Sequence, residues 1–145
     1  LSYRFPGKFE QKIRIFSHSP FFRPPILKNI NSLDEISKRS ACEMYLISSR
    51  FSFLKRRTDQ WVKKRGISKY FKGMYFNYSD KQPHKFKNEI IKKLNLQKFV
   101  DDDLDLLKFL AEKNPDIKFY WITPLKKVFN LPSNIKKIQE LSEFE

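Results

Sequence analysis

Val100-Asp101-Asp102-Asp103-Leu104-Asp105 sets three consecutive carboxylates between two apolar stretches, Lys98-Phe99-Val100 and Leu104 to Leu110. The order reads as strand, acidic turn, helix. Carboxylates crowded at the end of a strand repel one another, and a hard cation such as Mg²⁺ offsets that repulsion through oxygen ligands. The same residues have a plainer use. An Asp at a helix N-cap or in the first turn satisfies free N–H groups and suits the helix dipole. Both readings stand on the sequence.

Other residues with chemical potential sit at similar places. Ser48 and Ser49 end the apolar run Glu43-Met44-Tyr45-Leu46-Ile47. The segment from Lys81 to Lys87 is rich in lysine and opens the helical pattern through Ile90, Ile91 and Leu94. His84, before the helix, reads as a surface or cap residue and not a catalytic one, and His18 has no assigned role. Trp61 and Trp121 read as core or rim aromatics.

The elements that would position these groups follow from periodicity. Residues 1–25 are irregular and aromatic-rich, with Pro6, Pro20, Pro24 and Pro25, and offer one short strand candidate, Lys12-Ile13-Arg14-Ile15-Phe16. Residues 26–145 are regular. Ile26, Ile30, Leu33 and Ile36 mark a helix, and the run ending at Ser48 a buried strand. Phe53, Leu54, Thr58, Trp61 and Val62 mark a second helix, which Gly66 closes. Met74-Tyr75-Phe76-Asn77-Tyr78 reads as a strand. The helix through Leu94, the strand Lys98-Phe99-Val100, a helix from Asp103 to Lys113 and the strand Ile117 to Ile122 follow. Asn114-Pro115 stops the fourth helix. Ser133 is expected to cap a final helix through Ile135, Ile138 and Leu141.

Alternating helices and strands imply an α/β domain, Rossmann-like and three-layered, with a mainly parallel sheet. Ligands of such sheets bind at the carboxyl ends of the strands. Ser48, the lysines before the third helix and the aspartates from Asp101 are expected to gather there.

Composition narrows the class. A chain of 145 residues with 40% hydrophobic residues holds one domain with a real core, and disorder is not expected. The single Cys42 excludes an internal disulfide and suits a reducing, cytoplasmic setting. No apolar run reaches the length of a membrane span, so no membrane partner is expected. The formal charge of +14 has two readings. It suits a polyanion partner, or it reflects the abundant Lys, Asn, Ile and Phe of an AT-rich genome, with lysines on solvated faces. The runs Lys55-Arg56-Arg57, Lys63-Lys64-Arg65 and Lys92-Lys93 lie within helical patterns, which favours the second. A nucleic-acid partner is not expected, because no zinc pattern, helix-turn-helix signature or aromatic-basic strand motif occurs.

The motifs together resemble the haloacid dehalogenase-like phosphatases. Tyr45-Leu46-Ile47-Ser48, followed by Ser49-Arg50, is similar to the family's second motif. Lys87, or Lys85, opens a helix as its third motif requires. Phe99-Val100-Asp101-Asp102 is similar to its fourth. Phe21-Phe22-Arg23-Pro24-Pro25 and Thr58-Asp59-Gln60-Trp61 point to the deoxyribonucleotidase-like branch. The resemblance implies a Mg²⁺-dependent phosphomonoester hydrolase working through an aspartyl-phosphate. It implies that Ser48 and Ser49 bind phosphate and that Lys87 offsets charge on the phosphoryl group. It also implies that Asp101 and Asp102 hold Mg²⁺. The implied substrate is a phosphorylated small molecule, with nucleotides among the candidates.

One motif departs from this pattern. The Asp-x-Asp that supplies the nucleophile should lie before the Ser48 strand, and residues 1–40 contain only Asp34. Because Leu1 is not a start residue, the favoured expectation is an N-terminally truncated domain, with residues 1–25 a cap remnant. The competing expectation is a degenerate relative in which Ile13-Arg14-Ile15-Phe16 is the central strand and Ser17-His18-Ser19 replaces Asp-x-Asp. That relative would be a non-catalytic phosphate-binding or regulatory domain. A basic nucleic-acid-binding module is the weaker alternative.

Overall fold

The computed structural model describes residues 1–17, 27–39, 42–126 and 130–144. In order, the elements are α1 (Lys8–Ser17), α2 (Leu27–Ser37), β1 (Tyr45–Ser48), α3 (Lys55–Arg65), β2 (Gly73–Phe76) and α4 (Pro83–Leu94). After these come β3 (Lys98–Asp101), α5 (Leu104–Lys113), β4 (Lys118–Ile122) and β5 (Ile135–Ile138). Short 3-10 turns lie at Ser52–Leu54, Ile67–Tyr70 and Leu141–Glu143. The chain is a mixed α/β protein whose short strands all pair in parallel.

It divides into two compact units, Ser2–Lys87 and Asn88–Glu145, so that α4 begins in one and ends in the other. β1 and β2 form a two-stranded sheet in the first unit, and β3, β4 and β5 form a three-stranded sheet, in that order, in the second. Each strand is only four or five residues long.

In the first unit, Tyr45 pairs with Gly73 and Ser48 with Phe76. A Cβ on Gly73 would stand 3.3 Å from the Tyr75 ring and 3.4 Å from that of Tyr45, so the absent side chain lets the strands carry both aromatics. α3 connects these parallel strands, as a parallel pair requires. It ends where the sequence indicates: Gly66 adopts φ 58°, the left-handed conformation of a helix C-cap. Ile36, Phe51, Leu54, Val62, Ile67 and Phe86 form the buried apolar set.

Two elements differ from the sequence expectation. Lys12–Phe16 is not a strand but lies within α1, where Arg14 Nη2 donates to Glu10 Oε1 at 2.7 Å across one helical turn. Phe9, Ile13 and Phe16 recur at helical spacing too, and the alternation of the five-residue stretch was too short to outweigh it. Residues 8–17 are therefore regular, not irregular. The second correction is the C-terminal segment. Ile135–Ile138 is β5, paired in parallel with β4 through Phe119–Ile135 and Ile122–Ile138. Spacing of Ile135 and Ile138 by three suggests a helix. In a strand the same spacing puts them on opposite faces, and both are buried, so the sheet is covered on both sides there.

The second unit has the denser core. Ile91, Leu106, Leu107, Leu110, Phe119 and Ile138 are almost fully buried. The Phe99 and Phe119 rings meet edge-on, with centroids 6.2 Å apart. Asn114 closes α5: its Nδ2 donates to Leu110 O at 2.8 Å and to Asn88 Oδ1 at 2.8 Å. Asn134 Nδ2 donates to Ala111 O at 3.2 Å, tying the entry to β5 to the end of α5. Phe119→Ala is expected to cost ~3–5 kcal/mol in urea unfolding, because a large ring is lost from a site with no solvent access. Met74→Ala, at a position 37% exposed, should cost ~1 kcal/mol or less. Equal losses would contradict the placement of the core.

Candidate functional site

The first unit presents its polar residues where β1 and β2 end. Ser48 is the last residue of β1. Its carbonyl accepts from Asn77 N at 3.1 Å, and its Oγ faces the Arg50 amide at a long 3.5 Å. Asn77, just past β2, is fully buried. Its Nδ2 donates to Lys81 O at 2.6 Å and its Oδ1 accepts from Lys81 N at 3.0 Å. This pair of bonds replaces backbone pairing in the turn that leads to α4. Asp80, at φ 55°, accepts from both the amide and the hydroxyl of Ser52, each at 2.6 Å. The loops following β1 and β2 are thus fastened to each other by Asn77 and Asp80.

Ser49, one residue past β1, offers its carbonyl to Asn77 Nδ2 at 3.5 Å. Lys87 lies in α4 and is 7% exposed, whereas Lys85 is exposed. His84, on the preceding turn, stacks on Tyr3 with centroids 6.0 Å apart. Burial, with Lys85 adding its charge, lowers the His84 pKa below its usual value and favours the neutral ring.

The helix motif Thr58-Asp59-Gln60-Trp61 has structural partners. Thr58 is buried. Asp59 Oδ1 accepts from the Tyr78 hydroxyl at 3.0 Å, Gln60 Oε1 accepts from Arg57 Nη1 at 3.1 Å, and the Arg50 guanidinium lies 5.9 Å from the Trp61 ring centre. Phe21–Pro25, His18 and Ser19 lie outside the described residues, as does Ile26. Ser17 is the last residue of α1.

In the second unit Asp101 ends β3, and Asp103 is the N-cap of α5. Asp103 Oδ1 accepts from Leu106 N at 3.0 Å, while Asp101 Oδ1 accepts from Asp103 N at 3.1 Å. Trp121 Nε1 donates to Asp102 O at 3.1 Å and fixes the turn from the neighbouring strand. The capping use of the acidic run therefore falls to Asp103. Asp101 is half-buried and Asp102 is exposed. Among the described residues no group of three His, Cys, Asp or Glu side chains is arranged to hold a metal ion. Two carboxylates still suit Mg²⁺, which keeps several waters and commonly takes one or two carboxylates together with a substrate phosphate. The sequence-derived site residues are divided between the units: Ser48, Ser49 and Lys87 in the first, Asp101 and Asp102 in the second.

Pattern reading did not single out Asn77, Asp80 and Tyr78. The signal was available: Asn and Asp between a strand and a helix are turn residues whose side chains bond nearby backbone.

No protein-family model matches the chain, and neither does any curated protein or solved structure. Among the described residues no helix is long and apolar enough to cross a membrane.

Two measurements test this geometry. Asp103→Ala should cost ~1 kcal/mol of stability through the lost cap, whereas Asp102→Ala should change it by less than ~0.5 kcal/mol. The reverse order would contradict the assignment of the cap. Burial first, then the bond to Asp59, pushes the Tyr78 pKa from 10.0 up to about 12. A raised folded-state value means the neutral phenol is favoured by folding. That contribution is complete below pH 10 and disappears as pH rises through about 12. The difference in phenolate absorbance between wild type and Tyr78→Phe should therefore appear near pH 12. Ionisation of Tyr78 at the ordinary tyrosine value would contradict it.

Proposed function

We propose that this chain is the phosphate- and Mg²⁺-binding part of a phosphomonoester hydrolase of the haloacid dehalogenase type, on a Rossmann-like arrangement. One observation carries the reading. Ser48 and Asp101 are each the last residue of a parallel strand, β1 and β3, and Lys87 is buried in the helix that lies between those strands in the chain. Carboxyl ends of parallel strands are where such folds bind ligands.

In this reading the Ser48 hydroxyl donates to a phosphoryl oxygen, and the polar backbone at Ser49 lines the same strand end. The Lys87 ammonium offsets phosphoryl charge, and the burial of the residue in α4 limits the positions its side chain can take. Asp101 and Asp102, in the second unit, would hold Mg²⁺, a cation whose chemistry is to neutralise charge on phosphoryl oxygens. Asp103 does not join them, because its carboxylate caps α5. Hydrolysis also needs an attacking carboxylate, and no Asp-x-Asp precedes Ser48 in these 145 residues. The chain by itself therefore binds phosphate without turning over an aryl phosphate. The same missing motif favours a second reading, a non-catalytic phosphate-binding or regulatory domain of the same fold.

Calorimetric titration with inorganic phosphate, with and without Mg²⁺, separates these readings. Hydrolase ancestry predicts that Mg²⁺ tightens phosphate binding and that Asp101→Asn or Asp102→Asn removes the tightening. Lys87→Met should weaken binding by ~10- to 100-fold, as expected for a lost charge-assisted bond. Mg²⁺-independent binding with unchanged Lys87 dependence would favour the regulatory domain. Phosphate binding indifferent to both Ser48→Ala and Lys87→Met would defeat both readings. So would Mg²⁺-dependent turnover by the chain that Asp101→Asn leaves intact.

A further inference from the structure

The basic runs of α3 read in the sequence as a solvated face, and the structure gives that face a shape. A cleft of about 550 Å³ in the first unit is lined by Phe53, Lys55, Arg56, Asp59, Gln60 and Lys63. The lining positions on α3 follow helical spacing, so they form one stripe along it. Lys55, Arg56 and Lys63 are exposed. Asp59 is the sole carboxylate of the helix, and it accepts the Tyr78 hydroxyl. Lys64 continues the positive stripe, and Lys69 follows in the next turn.

We propose that this cleft binds single-stranded nucleic acid, with α3 tracking the phosphates and Phe53 stacking on a base. The length of the stripe argues for a polyanion and not a lone phosphate. Lys55 and Lys63 are two turns apart, about 12 Å along the axis. A nucleic-acid strand advances about 3.4 Å per phosphate in a helix, so this span meets several charges in a row. Phe53 supplies what a merely solvated basic helix lacks. It is half-buried and held from behind, its ring stacked on Phe51 at 6.3 Å and met edge-on by Phe5 at 6.0 Å. A rigid aromatic beside a cationic groove is the arrangement that binds unpaired bases with little sequence preference. Only a single strand offers a base face to it. The proposal stands independently of any phosphatase activity.

Fluorescence anisotropy of a labelled oligothymidine of about a dozen nucleotides, titrated with the full chain across a salt series, tests it. Three phosphate contacts predict a slope of about −2 in log K against log salt. The triple variant Lys55→Gln, Arg56→Gln, Lys63→Gln should flatten that slope by about 2 and weaken binding ~100-fold at low salt. A control with the same charge change on exposed lysines of the second unit, Lys92→Gln, Lys108→Gln, Lys118→Gln, should retain binding within ~3-fold. Phe53→Leu should weaken binding ~10-fold with the slope unchanged. All variants change exposed or half-buried side chains, and circular dichroism verifies their fold. Equal losses in the two triple variants would overturn the proposal by showing that binding is diffuse. So would a Phe53→Leu effect under about twofold, or displacement of the oligonucleotide by an equal concentration of AMP.

Discussion

Parallel pairing of very short strands is the constraint on which the structure depends. Two parallel strands cannot be joined by a tight turn, so each pair requires a long connection, and the two connections between β1 and β2 and between β3 and β4 carry helices α3 and α5. All strand ends of one polarity then lie together within each sheet. The polar residues leaving those ends must satisfy their own hydrogen bonds, and they do so with unusual economy. Buried Asn77 holds both backbone groups of Lys81, Asp80 holds Ser52, Asp103 caps α5, and Asp101 holds the amide of Asp103. Asn77 N, donating to Ser48 O, and Asp101, accepting from Asp103 N, tie each strand end to its neighbouring turn.

The same constraint explains how charge is arranged. The acidic run is not a uniform cluster. One carboxylate is spent on a helix terminus, one bonds inside the turn, and Asp102 points to solvent. The N-terminus of α5 therefore offsets part of the repulsion among the three aspartates. On the basic side, burial separates Lys87 from the many solvated lysines around it. Exposure along one stripe of α3 gives Lys55, Arg56 and Lys63 a common direction, although the net charge of +14 says nothing about direction.

Much of the fold was legible in the sequence, because β1, β2, β3 and β4 are apolar runs and α3 to α5 carry clear helical spacing with Gly66 and Asp103 at their ends. Parallel pairing was legible too, from the alternation of helix and strand. The division into two sheets was not. Local pattern specifies a strand but not which strand it pairs with, and pairing is a long-range property. The two misread elements fail for one reason: in Ile13–Phe16 and Ile135–Ile138 a few apolar residues fit both periods, so neighbours decided. Among the proposed site residues, Ser48 and Asp101 were marked as strand ends, and the capping role of Asp103 was one of two readings offered by the sequence. Tyr78 was hidden, because its importance lies in a contact with Asp59 that composition does not reveal.

Amide chemical-shift mapping with inorganic phosphate and Mg²⁺ tests the central claim most directly, since it reports on the strand ends residue by residue. The account predicts saturable shifts at Ser48, Ser49 and Arg50 and at Asp101 to Asp103, with the α5 cap preserved. Shifts confined to α3, or none at either strand end at saturating phosphate, would contradict it.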